Sequence, residues 1–216
     1  MSFLQMARLS AGVAAVALML GATASETRAA DAGFGSSFTC LQLTNGLSGS
    51  SSGKAPSDLA RVWIHGYLTG YYKTQGKLEM TDDPDGYQDF SDSLVRTCKD
   101  FPQASILGIS VQYLVKRDRK MPGAAGSGFT PSSYTCGQHT DAKAGSAGDL
   151  NKADLAELWA FALVQGNKNV GTPDMEIPSE YMQPVIGALN NACVKNRDTL
   201  YMDLAAQVAD KVKIAP

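Results

Sequence analysis

Shifted by 96 residues, the sequence falls on itself at its rarest positions. Cys40 lands on Cys136, and Trp63 lands on Trp159, the two tryptophans of the chain. Each Trp follows its cysteine by 23 residues. The second cysteine of each half follows its Trp by 35 residues (Cys98) or 34 (Cys193). S-F-T-C at Ser37–Cys40 matches S-Y-T-C at Ser133–Cys136. D-L-A-R-V-W-I-H-G-Y-L-T-G (Asp58–Gly70) matches D-L-A-E-L-W-A-F-A-L-V-Q-G (Asp154–Gly166). The chain is one small module written twice, so its two halves share a fold.

The first residues stand outside this repeat. Met1–Arg8 carries one positive charge and no acid, Leu9–Ala24 is apolar and small, and A-x-A cleavage sites follow at Ala22–Ala24 and Ala30–Ala32. The pattern predicts a signal peptide over 1–24, with cleavage as late as Ala32. The alternative is a membrane anchor, for which the apolar run is short against the roughly 20 residues of a span. No second segment is long and apolar enough to cross a bilayer. An exported chain meets an oxidising compartment, where an even number of cysteines implies disulfides. Four cysteines allow three connectivities; if each half folds alone, the pairs are Cys40–Cys98 and Cys136–Cys193. Zinc needs closer cysteine pairs than these. The net charge of −2 and the lack of a basic stripe give no support to nucleic-acid binding.

The domains read as 33–120 and 134–216. Residues 121–133, rich in Gly, Ser, Ala and Pro, are expected to be a flexible linker between them. Similar low-complexity loops are expected at Asn45–Lys54 and Asp141–Gly148. Within each half the apolar residues recur at helical spacing. Leu59, Val62, Trp63, Gly66, Tyr67 and Gly70 define one helix, starting at Ser57–Asp58, and Leu155, Leu158, Trp159, Ala162, Leu163 and Gly166 repeat it. The glycines leave room for another helix or loop to come close. A second helix over Gly86–Asp100 has the inner stripe Tyr87, Phe90, Leu94 and Cys98. Its copy uses Met182, Val185, Leu189 and Cys193, with Ser179 as the expected N-cap. Last helices cover Ser105–Lys116 and Thr199–Val212. Thr39 and Thr135 are placed to cap a short first helix, each behind an aromatic at the staple position. Alternating strand patterns are absent. The fold class is all-α: two small tandem domains of four helices, each with one internal disulfide.

Together these residues resemble the HdeA/HdeB family of periplasmic acid-stress chaperones. The resembling pattern is Thr39–Cys40, then W-x-x-G-Y at Trp63–Tyr67, D-P-D-G at Asp83–Gly86, and L-V-R-T-C-K-D-F-P-Q-A-S at Leu94–Ser105. It covers about 75 residues of the first half. The second half keeps Thr135, Cys136, Trp159 and Cys193 but lacks the G-Y, the D-x-D-G and the matching stretch after Cys193. The resemblance implies a small helical fold with one internal disulfide per module, here duplicated. It also implies a folded, inactive dimer at neutral pH that loosens in acid and holds unfolding periplasmic proteins on exposed apolar surface. Two fused halves would form that dimer within one chain, as a pseudo-dimer, or the chain would form a homodimer. The candidate client-binding residues are Trp63, Tyr67, Trp159 and Leu163. The rival reading is a periplasmic binding or inhibitor module on the same fold, without acid activation, because fold does not fix function.

The charge permits an acid response. Cleaved at Ala24, the chain keeps 21 acidic residues, 18 Lys and Arg, and two His, and so passes from about −3 at neutral pH to about +20 once its carboxylates are protonated. Self-repulsion then favours expansion. Other chemistry is weakly signalled. Glu79–Asp92 imitates a calcium loop at Asp83, Asp85, Gly86, Asp89 and Asp92, but Thr81 stands at its first position and Asp at its last. The preferred reading is an acidic turn before a helix. His65 is expected on a partly exposed helix face, and both it and His139 read as surface histidines. No G-x-S-x-G nucleophile motif occurs. An enzyme, a cofactor and a metal are not expected.

Overall fold

The computed structural model describes residues 33–49, 51–116, 120–145, 147–173 and 175–213. The leader assigned to residues 1–24 lies outside them. The first half runs α1 (Phe34–Ser37), α2 (Cys40–Ser48), α3 (Ser51–Thr74), β1 (Glu79–Thr81), α4 (Gly86–Asp100) and α5 (Ile106–Gln112). A 3-10 turn (Leu114–Lys116) and β2 (Lys120–Pro122) follow. The second half runs α6 (Cys136–Ala144), α7 (Ala147–Lys168), a 3-10 turn (Ser179–Tyr181), α8 (Met182–Lys195) and α9 (Tyr201–Lys211). The protein is mostly helical, as the apolar spacing predicts.

The duplication holds at the level of single backbone bonds. Thr39 caps α2 and Thr135 caps α6, each through a reciprocal capping box with the Gln three residues on. Cys40 N–H donates to Ala104 O at 2.9 Å, and Cys136 N–H donates to Thr199 O at 2.9 Å. Ile106 N–H reaches Phe38 O, and Tyr201 N–H reaches Tyr134 O, both at 2.9 Å. The F-T-C and Y-T-C stretches thus cap a helix, pin it to the chain end of their own half, and supply one cysteine. Both disulfides form within the halves: Cys40–Cys98 ties α2 to α4, and Cys136–Cys193 ties α6 to α8. Thr39→Ala and Thr135→Ala should each cost about 1 kcal/mol, read as a lower urea midpoint at unchanged m-value.

Several sequence expectations need correction. Residues 121–133 are not a solvated linker. β2 pairs in parallel with β1, with Met80 opposite Met121, and Gly123 N–H donates to Thr81 O at 2.7 Å. Met121, Ala125 and Phe129 are buried. The segment is stitched into one core shared by both halves. Its glycines serve tight turning: Gly126 and Gly128 take φ values of 84° and 74°. This folds the stretch so that its three apolar side chains enter the core. The short β1–β2 pair is itself a departure from an all-helical reading.

The loop expected at Asn45–Lys54 is largely helix. Thr44 and Ser48 return their hydroxyls to Cys40 O at 3.0 Å and Thr44 O at 2.9 Å, so these polar side chains are satisfied inside α2. Helix α3 starts at Ser51, not Ser57, and runs through Pro56. Ser57 is buried and donates to Leu43 O at 3.0 Å, joining α3 to α2 instead of capping. The expected loop Asp141–Gly148 is likewise mostly taken up by α6 and α7. Ser179 opens a 3-10 turn, and α8 begins after Tyr181.

Candidate functional site at the seam between the halves

The two long helices, α3 and α7, pack directly on each other. Their contact is made by small residues, and it is reciprocal. A Cβ placed on Gly70 would run into the Leu163 carbonyl, and one placed on Gly166 would run into the Tyr67 carbonyl. Shifted by 96, the first of these pairs becomes the second. Gly66 meets the Trp159 carbonyl, with Ala162 Cβ 3.2 Å from where its own Cβ would stand. The same surface of each half therefore meets its copy, which is the signature of an isologous, two-fold interface. The close approach expected from the glycines is thus helix on helix.

Of the four residues singled out as client-binding candidates, Tyr67, Trp159 and Leu163 meet the opposite helix at this seam, whereas the Trp63 ring lies against Gly35 of α1 in its own half. Trp63 is 2% exposed, and Tyr67, Trp159 and Leu163 are 0% exposed. Trp63 stacks on Tyr67 at 5.5 Å between ring centres. Phe129, from the connecting segment, meets Trp159 edge-on at 6.0 Å. Polar bonds lace the far end of the seam. Asn167 on α7 donates to Thr74 Oγ1 on α3 at 2.7 Å and to Asp210 on α9 at 3.1 Å. Lys73 on α3 pairs with Asp203 on α9 at 2.9 Å. That ion pair is half-exposed and adds little by itself.

His65 corrects the surface reading most sharply. It is fully buried. Its Nε2 lies 2.8 Å from Pro122 O, and its Nδ1 lies 2.9 Å from the indole Nε1 of Trp159. It thereby joins the first half, the connecting segment and the second half. Burial pulls its pKa down to about 4 from an ordinary 6.5, against the two backbone carbonyls that favour the charged ring. The sequence did hold a signal for this burial. The residue aligned with His65 in the second copy is Phe161, a core residue that is 2% exposed. The aligned partner of Trp159 is Trp63, whose Nε1 has no hydrogen-bond partner among the described residues.

His139 is buried too, but inside the second half. Its Nε2 lies 2.8 Å from Asn190 Oδ1 and 3.7 Å from Glu157 Oε1, and Glu157 also pairs with Lys143 at 3.0 Å. Burial lowers its pKa; the bond to Asn190 and the Glu157 charge oppose that shift. The acidic stretch Glu79–Asp92 forms β1, a turn and the start of α4. Asp83 Oδ1 accepts the Asp85 N–H at 3.0 Å, and Asp92 accepts from Gln88 at 2.8 Å. Among the described residues no three His, Cys, Asp or Glu side chains converge as a metal site. Among those residues, too, no helix is long and apolar enough to cross a membrane. Set against protein-family models, curated proteins and solved structures, the chain matches none of them.

Proposed function

We propose that this chain is a periplasmic, ATP-independent acid-stress chaperone, closed at neutral pH, which binds unfolding proteins in acid through the apolar faces of its seam. The observation that carries the reading is the reciprocal interface between α3 and α7, in which Tyr67, Trp159 and Leu163 are buried. An apolar surface made of two matching halves is hidden while the seam is closed and available when it parts. The fused halves act as a pseudo-dimer, in place of the dimer that the HdeA/HdeB resemblance implies. Two disulfides suit an exported protein and keep each half from unravelling when it opens. Charge supplies the drive: the chain becomes strongly positive in acid, which strains the seam and keeps a chaperone–client complex soluble.

The test is light scattering from an aggregating client at pH 2–3 and at pH 7, with the mature protein present or absent. Suppression in acid alone is expected, together with a red shift of tryptophan emission as Trp63 and Trp159 meet water. Suppression at both pH values would instead favour a binding module without acid activation. Suppression at neither would rule out the chaperone.

A further inference from the structure

We propose that His65 is the acid latch of the seam: its neutral ring holds the two halves together, and a proton on Nδ1 releases them. This deepens the function proposed above. It rests on acid opening of the chain, and not on what the opened chain binds.

The hydrogen-bond roles around the ring are forced by its partners. Pro122 offers a carbonyl, which only accepts, 2.8 Å from Nε2. Trp159 offers an indole N–H, which only donates, 2.9 Å from Nδ1. The ring must therefore be neutral, with its proton on Nε2 and its lone pair on Nδ1. A second proton has to enter at Nδ1, where it meets the Trp159 N–H head-on. The cross-seam bond then becomes a donor facing a donor, inside a site with no water-exposed surface. Thr69 Oγ1 also lies near Nδ1, at 3.4 Å, and its own proton goes to the His65 carbonyl at 2.7 Å. At 3.4 Å its oxygen is a long acceptor, weaker than the 2.9 Å bond it would replace, and the Trp159 N–H still loses its acceptor.

Among the described residues no charged side chain stands ready to receive the imidazolium. On α3, Arg61 pairs with Asp58 and donates to Ser91 Oγ at 3.0 Å. On α4, which meets the ring through Phe90, Asp89 and Asp92 are exposed. On β2, Lys120 pairs with Glu79. On α7, Glu157 pairs with Lys143. His139 differs on this point, because Glu157 and Asn190 Oδ1 support its charged form. The partners it meets, Asn190, Glu157, Tyr134 and Tyr201, all belong to the second half. The second copy supplies an internal comparison: Phe161 stands in place of His65, so the mirrored side of the seam has no such switch.

The pH window follows from the shift. The opened chain takes up a proton on this histidine below the ordinary value of 6.5, whereas the closed chain resists until about pH 4. The closed state is therefore favoured fully above 6.5, loses ground as pH falls from 6.5 to 4, and loses no more from this group below that. The difference amounts to about a 300-fold weakening of closure from one residue.

Two measurements test it on the full mature chain. The first follows the imidazole of His65 by NMR in the unmodified protein, with His139→Gln used for assignment. His65 is expected to titrate near pH 4, in step with the tryptophan emission shift. Titration near 6.5 in a chain that stays closed overturns the latch. The second compares opening in His65→Gln, whose amide can both donate to Pro122 and accept from Trp159 but takes no proton. Its opening should move to lower pH, with about 300-fold less loss of closure between pH 7 and pH 3. Opening along an unchanged profile overturns the latch but leaves the chaperone reading intact. If the unmodified chain stays closed at pH 2, acid opening itself fails, and the latch with it. If His65→Gln does not fold, the NMR titration decides.

Discussion

Gly166→Val should destabilise the chain by roughly 3 kcal/mol or more, the upper end of overpacking costs. For a chain of this size that is a fall in Tm of about 6–12 °C. The reason is that the obstacle is backbone. A side chain at Gly166 would meet the Tyr67 carbonyl and, at 3.0 Å, the Tyr71 amide nitrogen. No rotamer of a neighbour relieves this, so α3 and α7 must separate where Tyr67, Trp159 and Leu163 meet the opposite helix. Gly70→Val should cost a similar amount, because its obstacle, the Leu163 carbonyl, is the mirrored contact. Gly187→Ala is the control. Gly187 lies in α8 with nothing within 4 Å of an added Cβ. There the better helix propensity of alanine should leave the chain as stable or up to about 1 kcal/mol more so. Urea unfolding at pH 7 distinguishes the cases. Equal midpoints for Gly166→Val and Gly187→Ala would mean that the seam is not formed in solution. If the valine variants fold but open easily, they should also bind client at a higher pH than the unmodified chain, which ties the packing of the seam to the function proposed for it.

How much of this was legible in the sequence depends on the kind of residue. The repeat was read from Cys and Trp, whose chemistry leaves little choice: cysteines pair, and a large indole fills a core. The helices followed from apolar spacing, and α4 falls on Gly86–Asp100 as expected. The Thr caps were visible because their role is local. Residues that act at long range were not. Met121 and Phe129 sit in a run of Gly, Ser and Pro whose composition resembles a free linker. What matters there is that backbone freedom lets three apolar side chains turn inward, and composition does not report direction. The burial of His65 is hidden for a related reason. Spacing along α3 places it beside Trp63, but the helix is packed on more than one side, by α7, β2 and α4, so its second face is buried too. The one local hint was its alignment with Phe161. Ser57 looks like a helix start because serine is common there, yet its hydroxyl is spent on a carbonyl of another helix.

Removing both disulfides should convert an opening chain into an unravelling one. Each bridge closes a separation of 58 or 57 residues. Chain entropy assigns about 4 kcal/mol to a loop of that length, a large share of the 5–15 kcal/mol typical of a whole domain. Cys40→Ala/Cys98→Ala should therefore lower stability at pH 7 by up to about 4 kcal/mol, and Cys136→Ala/Cys193→Ala by a similar amount. All four sulfurs are buried, so part of each loss is core packing, and reduction of the unmodified chain separates the two contributions. The larger effect is expected in acid. On the function proposed above, the high positive charge would pull the chain apart there and open the seam, while within each half the staple holds α2 to α4 or α6 to α8. Size-exclusion chromatography at pH 3 should show the unmodified chain only modestly expanded and the four-alanine chain close to the dimensions of an unfolded one. On return to pH 7, the stapled halves need only find each other, whereas the unstapled chain must refold throughout, so recovery of the native tryptophan emission should be faster with the bridges present. An unmodified chain as expanded at pH 3 as its four-alanine variant would show that acid melts the halves themselves, and the apolar surface offered to clients would then be the whole chain and not the two faces of one seam.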